Sequence, residues 1–426
     1  MEGEEGPFSL GPVIVRLKIA VVILCLLLSG PAARADEPLT WEQTIRETEK
    51  GNPDLNASLY AARAARVRYH GSHSPLLPQL SASASSEVLN DSREDHEAGL
   101  TVRQSLFSGG RNRAGIQQAK AEWEAAEARL AAVKAQVGSE LKSAFAQLLF
   151  AQEQRKLAET ISRRREENVE LINLRYEAGR EHQGSYLRIK ASASQARFET
   201  GQASRAQRVA QREMGRVLGR PKFEAVEVAG EFGVQPAGPA PDMDSIAQQT
   251  PVYREAESDA ESAGADVDIA RSRYFPDLDA VATTGLSSSH WPPDENDWSA
   301  GIVMTFPFFS GGQEIFDVKA ARAEQERALS QLRSVDDKTA AELESRFAAL
   351  QDAIERVEVR REFLVAADLR AEIARAQYTT GLLSFEDWDL IENDLIDNQK
   401  MMLATLRDAV LAEASWERAL GKDPFS

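Results

Sequence analysis

The stretch Phe107-Ser108-Gly109-Gly110 opens a run of 68 residues that closes at the glycine of Tyr176-Glu177-Ala178-Gly179. The stretch Phe309-Ser310-Gly311-Gly312 opens a second run of the same length, which closes at the glycine of Tyr378-Thr379-Thr380-Gly381. The two copies are therefore offset by 202 residues at both ends. A tandem duplication of about 200 residues is the feature that any interpretation of this sequence must explain.

Upstream of the glycine turns the offset becomes 198 residues, because Asn52-Pro53 matches Thr250-Pro251 and Pro78 matches Pro276. One loop between Pro78 and Ser108 therefore differs in length between the copies, while the other parts keep their register. The serine and glycines of each turn allow a tight reversal from strand into helix, because glycine adopts backbone angles that other residues resist. These turn residues are Ser108, Gly109, Gly110, Ser310, Gly311 and Gly312.

Both runs are predicted to be long helices. None of the 17 prolines lies between Gln79 and Arg220 or between Phe308 and Asp423. The apolar residues of each run alternate spacings of three and four, which is a coiled-coil pattern. A helix of this length extends about 100 Å at ~1.5 Å per residue, so it needs partner helices along its whole length.

The same parts surround each long helix: a preceding helix, a hairpin with apolar and polar residues in alternation, and a returning helix. A belt rich in glycine and proline joins the two copies. The predicted first repeat spans 36–221, with its hairpin at 79–107, its long helix at 111–178 and its returning helix at 186–218. The belt spans 222–250, and the second repeat spans 251–426, with its hairpin at 277–309, its long helix at 313–380 and its returning helix at 385–420.

The charge of the chain disfavours a nucleic-acid partner. The formal net charge is −17 and the pI is near 5.0, whereas phosphate binding needs clustered Lys and Arg. The basic run Arg163-Arg164-Arg165 is followed at once by Glu166-Glu167. This mixture is typical of a solvated helix face.

The N-terminus predicts a secretory signal peptide over 1–35. Arg16 and Lys18 precede the apolar stretch Ile19 to Leu28, and Ala33-Arg34-Ala35 supplies a cleavage site of small residues. The only cysteine, Cys25, lies inside this segment, so we expect no disulfide in the secreted chain.

The sequence contains no pattern of a catalytic or cofactor site. His70 and His73 lie near a helix end without ligand-like acids around them, which favours a surface role over a metal site. The Gly-Gly pairs follow a hairpin and lack the Lys-Ser/Thr of a phosphate loop. We therefore expect neither an enzyme nor a bound cofactor or metal.

The repeated order of hairpin, Ser-Gly-Gly turn, long helix, Tyr-x-x-Gly tip and returning helix resembles the TolC family of outer-membrane efflux proteins. The resemblance covers almost the whole chain after residue 35. It rests on Leu39 to Pro53, on Leu77-Pro78-Gln79-Leu80 and Phe275-Pro276-Asp277-Leu278, on both Phe-Ser-Gly-Gly turns, and on Tyr378-x-x-Gly381-Leu382.

The resemblance implies a homotrimer that forms a 12-stranded outer-membrane β-barrel, continued across the periplasm by an α-helical tunnel. It also implies two partners at the lower end, a periplasmic adaptor and an inner-membrane transporter of the RND or ABC class. The residues support assembly independently, because four strands per chain cannot close a barrel in lipid. We expect Ile302, Met304, Phe306 and Phe308 to face lipid and Arg103 to face the lumen.

The candidate functional site is the tip where each long helix ends. Gly381-Leu382 and the following Ser384 to Asp387 fit the family's tip and predict a capping box for the returning helix. Gly179-Arg180 of the first copy lacks both features. Three acids, Glu386, Asp387 and Asp389, lie near the N-terminus of the returning helix, where the helix dipole favours negative charge. We also consider that they form a ring at the aperture and pair with Arg175 or Arg180.

Two other classes of function are weighed against the channel. A soluble periplasmic coiled-coil adaptor or structural rod would use the hairpins as caps and would remain in water after cell fractionation. A secreted enzyme would need a pocket with catalytic side chains, for which the sequence offers no candidates.

Overall fold

The computed structural model describes residues 38–88, 94–233 and 236–425. The predicted signal peptide lies outside these ranges. The first repeat contains α1 (Trp41–Gly51), α2 (Pro53–Gly71), β1 (Gln79–Val88), β2 (Glu94–Ser108), α3 (Arg111–Glu177) and α4 (Gln183–Val217). The belt and second repeat contain α5 (Met243–Ala247), α6 (Pro251–Ser272), β3 (Asp277–Ser288), β4 (Glu295–Thr305), α7 (Gln313–Thr380) and α8 (Phe385–Ala419).

The predicted fold class is confirmed as a mostly helical chain with two long helical hairpins and four strands. The glycines between strand and helix take left-handed backbone angles, with φ of 60° at Gly109, 91° at Gly110, 71° at Gly311 and 81° at Gly312. A side chain disfavours these angles, which explains the repeated Gly-Gly.

Two shorter helices together cover each long helix. α2 and α4 both pack along α3, and they meet end to end where Asn52 donates from its side-chain amide to the carbonyl of Val217 at 2.9 Å. The same joint occurs in the second repeat, where Gly421 lies against the ring of Pro251. In each repeat, one preceding and one returning helix therefore lie end to end along the long helix.

The four strands form one antiparallel sheet in the order β1-β2-β3-β4. β2 begins at Glu94, although Glu94 to Glu97 are polar and look like a loop in the sequence. These residues pair with β1, and His96 and Glu97 also pair with β3. β4 ends at Thr305 rather than at 309. Thr305 lies opposite Asp277, the first residue of β3, so residues further along have no strand to pair with in the described chain.

The strand register places the apolar side chains of both hairpins on the same side of the sheet. Leu80 lies opposite Val102, Val102 opposite Ala282, and Leu278 opposite Met304. The other side carries polar groups, including Arg103, which donates to the carboxylate of Asp279 at 2.9 Å. Within the described ranges, no helix combines the length and apolar character that spanning a membrane requires.

Candidate functional site at the helix tips

Each tip is a tight turn with its own cap on the returning helix. α7 ends at Thr380 and is followed by Gly381, where φ is 80°. α8 begins after Ser384, whose hydroxyl accepts from the backbone N–H of Asp387 at 3.1 Å. Only this half of the predicted capping box forms. The Asp387 carboxylate accepts from the hydroxyl of Ser384 and not from the backbone N–H of Ser384.

The first-repeat tip is capped by a residue that the sequence interpretation missed. His182 precedes α4, and its Nδ1 accepts from the backbone N–H of Ser185 at 3.2 Å. A ring nitrogen can accept only when it carries no proton, so this cap requires that Nδ1 of His182 is unprotonated. The first tip therefore has a cap although it has no capping box.

A chain of hydrogen bonds joins the two tips. The Tyr378 hydroxyl donates to one oxygen of Glu181 at 3.1 Å, and the Ser185 hydroxyl donates to the other at 2.9 Å. Burial raises the pKa of Tyr378, so the phenol stays protonated and acts as a donor at neutral pH. Arg175 lies over the ring of Tyr378 at 4.4 Å and donates to the carbonyl of Thr379 at 3.1 Å.

Aromatic rings pack behind both turns at positions related by the duplication. Tyr378 stacks on Trp388 with ring centroids 4.6 Å apart, and the equivalent pair in the first repeat, Tyr176 and Tyr186, stacks at 5.9 Å. Tyr378 and Trp388 are both buried, whereas Tyr176 is exposed. The second tip is thus the more firmly packed of the two.

Asp389 is buried and joins the two repeats. Its two carboxylate oxygens accept from Arg165 at 3.3 Å and from Arg188 at 2.8 Å. The side chain of Asp389 is 2% exposed and that of Arg165 is 5% exposed. The predicted pairing with Arg175 or Arg180 is therefore wrong for Asp389. The interpretation of the 163–165 arginine run as a solvated face is also wrong for Arg165.

A second buried acid lies one helical turn further along α8. Glu392 accepts from Arg375 at 2.6 Å, and its other oxygen lies 3.8 Å from Arg164. Arg165 also donates to the side chain of Asn393 at 2.6 Å. Two carboxylates and four arginines thus connect α3, α4, α7 and α8 just behind the tips, and this set is called the tip ion cluster below.

The remaining predicted site residues lie at the surface of the tips. Leu382 is exposed, and Gly179, Arg180, Gly381 and Asp387 are exposed as well. Glu386 is also exposed, and its carboxylate lies 3.7 Å from Nε2 of His182. The structure therefore separates the three acids, because Glu386 and Asp387 face solvent while Asp389 is buried among arginines.

The duplication contains a signal that could have drawn attention to this region. At the 202-residue offset, Asp389 corresponds to Leu187, and Arg163, Arg164 and Arg165 correspond to Val365, Ala366 and Ala367. The offset therefore marks the whole arginine run and does not show which arginine is buried. Among the described residues, no group of three or more His, Cys, Asp or Glu side chains is arranged to hold a metal ion.

Comparisons with known proteins agree on one family. The profile described as "Outer membrane efflux protein" matches residues 44–220 and 243–422. The probable outer membrane lipoprotein SilC of Salmonella typhimurium is 21% identical over 88% of this chain and 84% of its own length. The alkaline protease secretion protein AprF of Pseudomonas aeruginosa is 26% identical over 66% of this chain and 63% of its own length. The open state of the Neisseria gonorrhoeae MtrE outer membrane channel is 19% identical, with a TM-score of 0.80 over 90% of this chain and 89% of that one.

Proposed function

The chain belongs to the outer membrane efflux protein family, and from this premise we propose that it is the exit duct of a tripartite efflux or type I secretion system. In this role it receives substrates from an inner-membrane transporter of the RND or ABC class and carries them across the periplasm and the outer membrane. The chain is located in the outer membrane and, as in its family, is a channel protein rather than an enzyme.

The four-stranded sheet is the observation that carries the proposal. Its edge strands, β1 and β4, each have one edge that pairs with no strand in the described part of the chain. Open strand edges are not tolerated in lipid, so several chains must combine their strands. Two chains would give eight strands, whose side chains would nearly fill the interior, whereas three give twelve strands and leave a water channel. Geometry thus excludes a single chain, and the resemblance to the family selects three chains over two.

The side chains of the sheet indicate which face meets lipid. Ile302 and Met304 are exposed and lie on the same side as Leu80 and Val102. The opposite side carries the Arg103–Asp279 ion pair and a hydrogen bond of 2.8 Å between Thr283 and Ser299. Barrel strands alternate apolar residues toward lipid with polar residues toward the lumen. The apolar side therefore faces the membrane.

The long helices provide the periplasmic part of the duct. α3 has 67 residues and α7 has 68, so each extends about 100 Å. The tips lie at the end far from the sheet, where a periplasmic adaptor would bind. Leu382 of the second tip is exposed and apolar, whereas the equivalent first-repeat residue, Arg180, is basic. We propose that the adaptor contacts the two tips differently.

The second tip also supplies a candidate aperture ring. Glu386 and Asp387 are exposed in the first turn of α8, and three copies of this tip would bring six carboxylates around the threefold axis. Acids in a first turn also stabilise the helix through its dipole, which is the simpler role. We propose that the same acids attract cations at the entrance. The buried Asp389 takes no part in this ring.

Membrane fractionation combined with electrical recording tests the proposed function. The protein should sediment with the outer membrane, require detergent for extraction, and give stepwise ion conductance in planar bilayers. A soluble coiled-coil adaptor or rod would instead remain in the aqueous periplasmic fraction and conduct nothing. That outcome would contradict the channel and support the soluble adaptor or rod.

A photocrosslinking side chain tests the adaptor contact. Placed at Leu382 in cells, it should capture a periplasmic protein that mass spectrometry identifies as an adaptor. The matched control position is Val209, which is also exposed and apolar but lies near the far end of α4. Equal capture at both positions, or adaptor capture only at Val209, would contradict docking at the tip.

A further inference from the structure

The two tips are capped by different residues at the same position of the repeat. His182 precedes α4 and Ser384 precedes α8, and they are 202 residues apart. Ser384 caps its helix through a hydroxyl, whereas His182 accepts from the backbone N–H of Ser185 through Nδ1 at 3.2 Å. A serine hydroxyl stays neutral, but imidazole changes its charge between about pH 5 and 8. Of the two caps, the one at the first tip can therefore titrate.

The imidazole ring of His182 lies over the first turn of α4. Gly184 leaves room for it, because a Cβ at that residue would be 2.9 Å from Nδ1 and 3.0 Å from Cε1 of the ring. The other ring nitrogen, Nε2, is 3.1 Å from the hydroxyl of Ser185. That hydroxyl donates to Glu181 at 2.9 Å, so it can accept from Nε2–H. This arrangement requires a neutral ring with its proton on Nε2.

A carboxylate of the second tip lies within reach of the same ring. Nε2 of His182 is 3.7 Å from Glu386, which occupies the repeat position of Gly184. An ion pair forms here only when both ring nitrogens carry a proton. The ring can thus cap α4 when it is neutral, or pair with a side chain of α8 when it is charged.

The elements packed at the tips supply opposing influences on the charge of this ring. Their charged and titratable groups are Arg180 and Glu181 on the turn of His182, Glu386 and Asp387 on α8, Tyr378 on α7, and Arg175 on α3. Arg175 and Tyr378 are held by each other, and the Tyr378 hydroxyl donates to Glu181. The carboxylates of Glu181 and Glu386 favour an imidazolium, whereas the N-terminal dipole of α4 disfavours it. The charge of the ring therefore decides which partner it keeps.

We infer that His182 is a pH-dependent switch that exchanges its partner in the first tip for a partner in the second. The neutral ring caps α4. Protonation places a hydrogen on Nδ1, which then faces the N–H of Ser185, so the cap is lost. The imidazolium pairs with Glu386 instead. Acidification thus replaces a bond within the first repeat by a bond between the repeats.

The effect of this switch on transport rests on the proposed duct. Glu386 is one of two exposed acids per chain in the candidate aperture ring. Pairing with an imidazolium therefore neutralises three of the six carboxylates of a trimer. Because free Asp and Glu titrate near about pH 4, the switch lowers the preference for cations at a higher pH than protonation of the acids does.

Hydrogen exchange tests the cap directly. In the detergent-solubilised protein, the protection factor of the Ser185 N–H should fall about fivefold between about pH 8 and about pH 5.5, as expected for the loss of a typical cap. Mass spectrometry of peptides that cover the start of α4 measures this change, after correction for the intrinsic exchange rate at each pH.

Two variants make the test specific. His182→Ser is the matched control, because it gives the first tip the cap that the second tip already has at Ser384, and it should keep the Ser185 N–H protected at both pH values. Glu386→Gln removes the partner of the imidazolium, so the fall in protection should begin at a lower pH. Both replaced side chains are more than half exposed, at 65% for His182 and 74% for Glu386, so the tips should fold in both variants.

Reversal potentials in planar bilayers under a KCl gradient measure the consequence for transport. Between about pH 8 and about pH 5.5, the cation preference of the unchanged protein should fall toward that of Glu386→Gln. His182→Ser should keep its preference across this range, because its first tip carries no group that becomes an imidazolium.

The possible results separate the inference from the proposed function. A pH-dependent protection that disappears in His182→Ser supports the switch. Equal protection at both pH values in the unchanged protein, or the same pH dependence in His182→Ser, overturns the switch and leaves the duct intact. A pH dependence that Glu386→Gln does not shift overturns the exchange of partners. A switch of protection in a protein that conducts no ions overturns the duct and leaves the switch.

Discussion

Arg165 and Asp389 form an ion pair that is closed off from solvent, although they lie 224 residues apart in different repeats. The bond joins α3 to α8 just behind the two tips. A charged pair taken out of water stabilises a fold only when both partners remain, since the loss of one leaves an uncompensated charge. We therefore expect single substitutions in the tip ion cluster to lower the stability of the tips more than substitutions at their surface.

Substitution of Asp389 by Asn should destabilise the chain by about 3–5 kcal/mol, because Arg165 would keep its charge without a buried partner. Thermal unfolding followed by the helical circular dichroism signal measures this loss. The control is Asp387→Asn on the same helix, where the exposed acid only supports the N-terminal cap and should cost about 1 kcal/mol or less. Equal unfolding temperatures for the two variants would contradict a structural role of the buried pair.

The ends of the long helices could be predicted from the sequence, because short local motifs determine where each helix begins and ends. Gly-Gly and Tyr-x-x-Gly determine where a helix begins and ends, and the predicted helix at 111–178 differs from α3 by one residue. Strand ends depend on partners instead. The polar residues of β2 from Glu94 onward look like a loop by themselves and become strand only through pairing with β1 and β3.

The tip was less predictable because its ion pairs join side chains of different repeats, and those pairs depend on how the helices of the two repeats pack together. Nothing in the run Arg163-Arg164-Arg165 distinguishes the buried Arg165 from its neighbours until α8 lies beside α3. The cap formed by His182 was missed for another reason, since Ser, Thr, Asp and Asn are the usual residues at this position. The glycine turns, by contrast, follow from sequence spacing alone.

The aperture hypothesis predicts an electrical effect of the exposed acids. The double substitution Glu386→Gln and Asp387→Asn should lower the preference for cations and raise single-channel conductance in planar bilayers, because it removes six carboxylates from the entrance of a trimer. The control is Glu42→Gln, an exposed acid on α1 far from the tips. Unchanged conductance and ion selectivity in the double variant would leave these acids only their capping role.

The ion network at Glu417 predicts a pH-dependent stability. Burial raises the pKa of Glu417, but the hydrogen bonds from Lys142 at 2.8 Å and Lys422 at 2.6 Å outweigh it and leave the pKa lowered from 4.5. A carboxylate with a lowered folded pKa stabilises the fold above its unfolded pKa, and this stability is lost as the pH falls through the folded value.

Substitution of Glu417 by Gln should therefore cost on the order of 1 kcal/mol at pH 7, and the difference from the unchanged chain should shrink as the pH falls below about 4 toward the lowered folded pKa. Unfolding temperatures at the two pH values measure it. Glu358→Gln, which removes an exposed ion pair with Arg361, should have little effect at either pH. A deficit of equal size at both pH values would contradict the account.

The assignment of the sheet faces predicts opposite outcomes for two residues. Met304→Arg should cost about 2–4 kcal/mol in the membrane, because it places a charge against lipid, while Arg103→Lys should be tolerated on the polar side. Met304→Leu controls for the change of side chain. The amount of detergent-stable oligomer recovered from outer membranes is the measurement. Normal assembly of Met304→Arg together with failure of Arg103→Lys would reverse the two faces.

Native mass spectrometry of the detergent-solubilised protein tests the central claim most directly. Each chain supplies four strands, so a twelve-stranded barrel requires three chains, and the account predicts one species of three chains, roughly 130 kDa after loss of the signal peptide. Release of a single chain that stays soluble after the detergent is removed would contradict the outer-membrane duct.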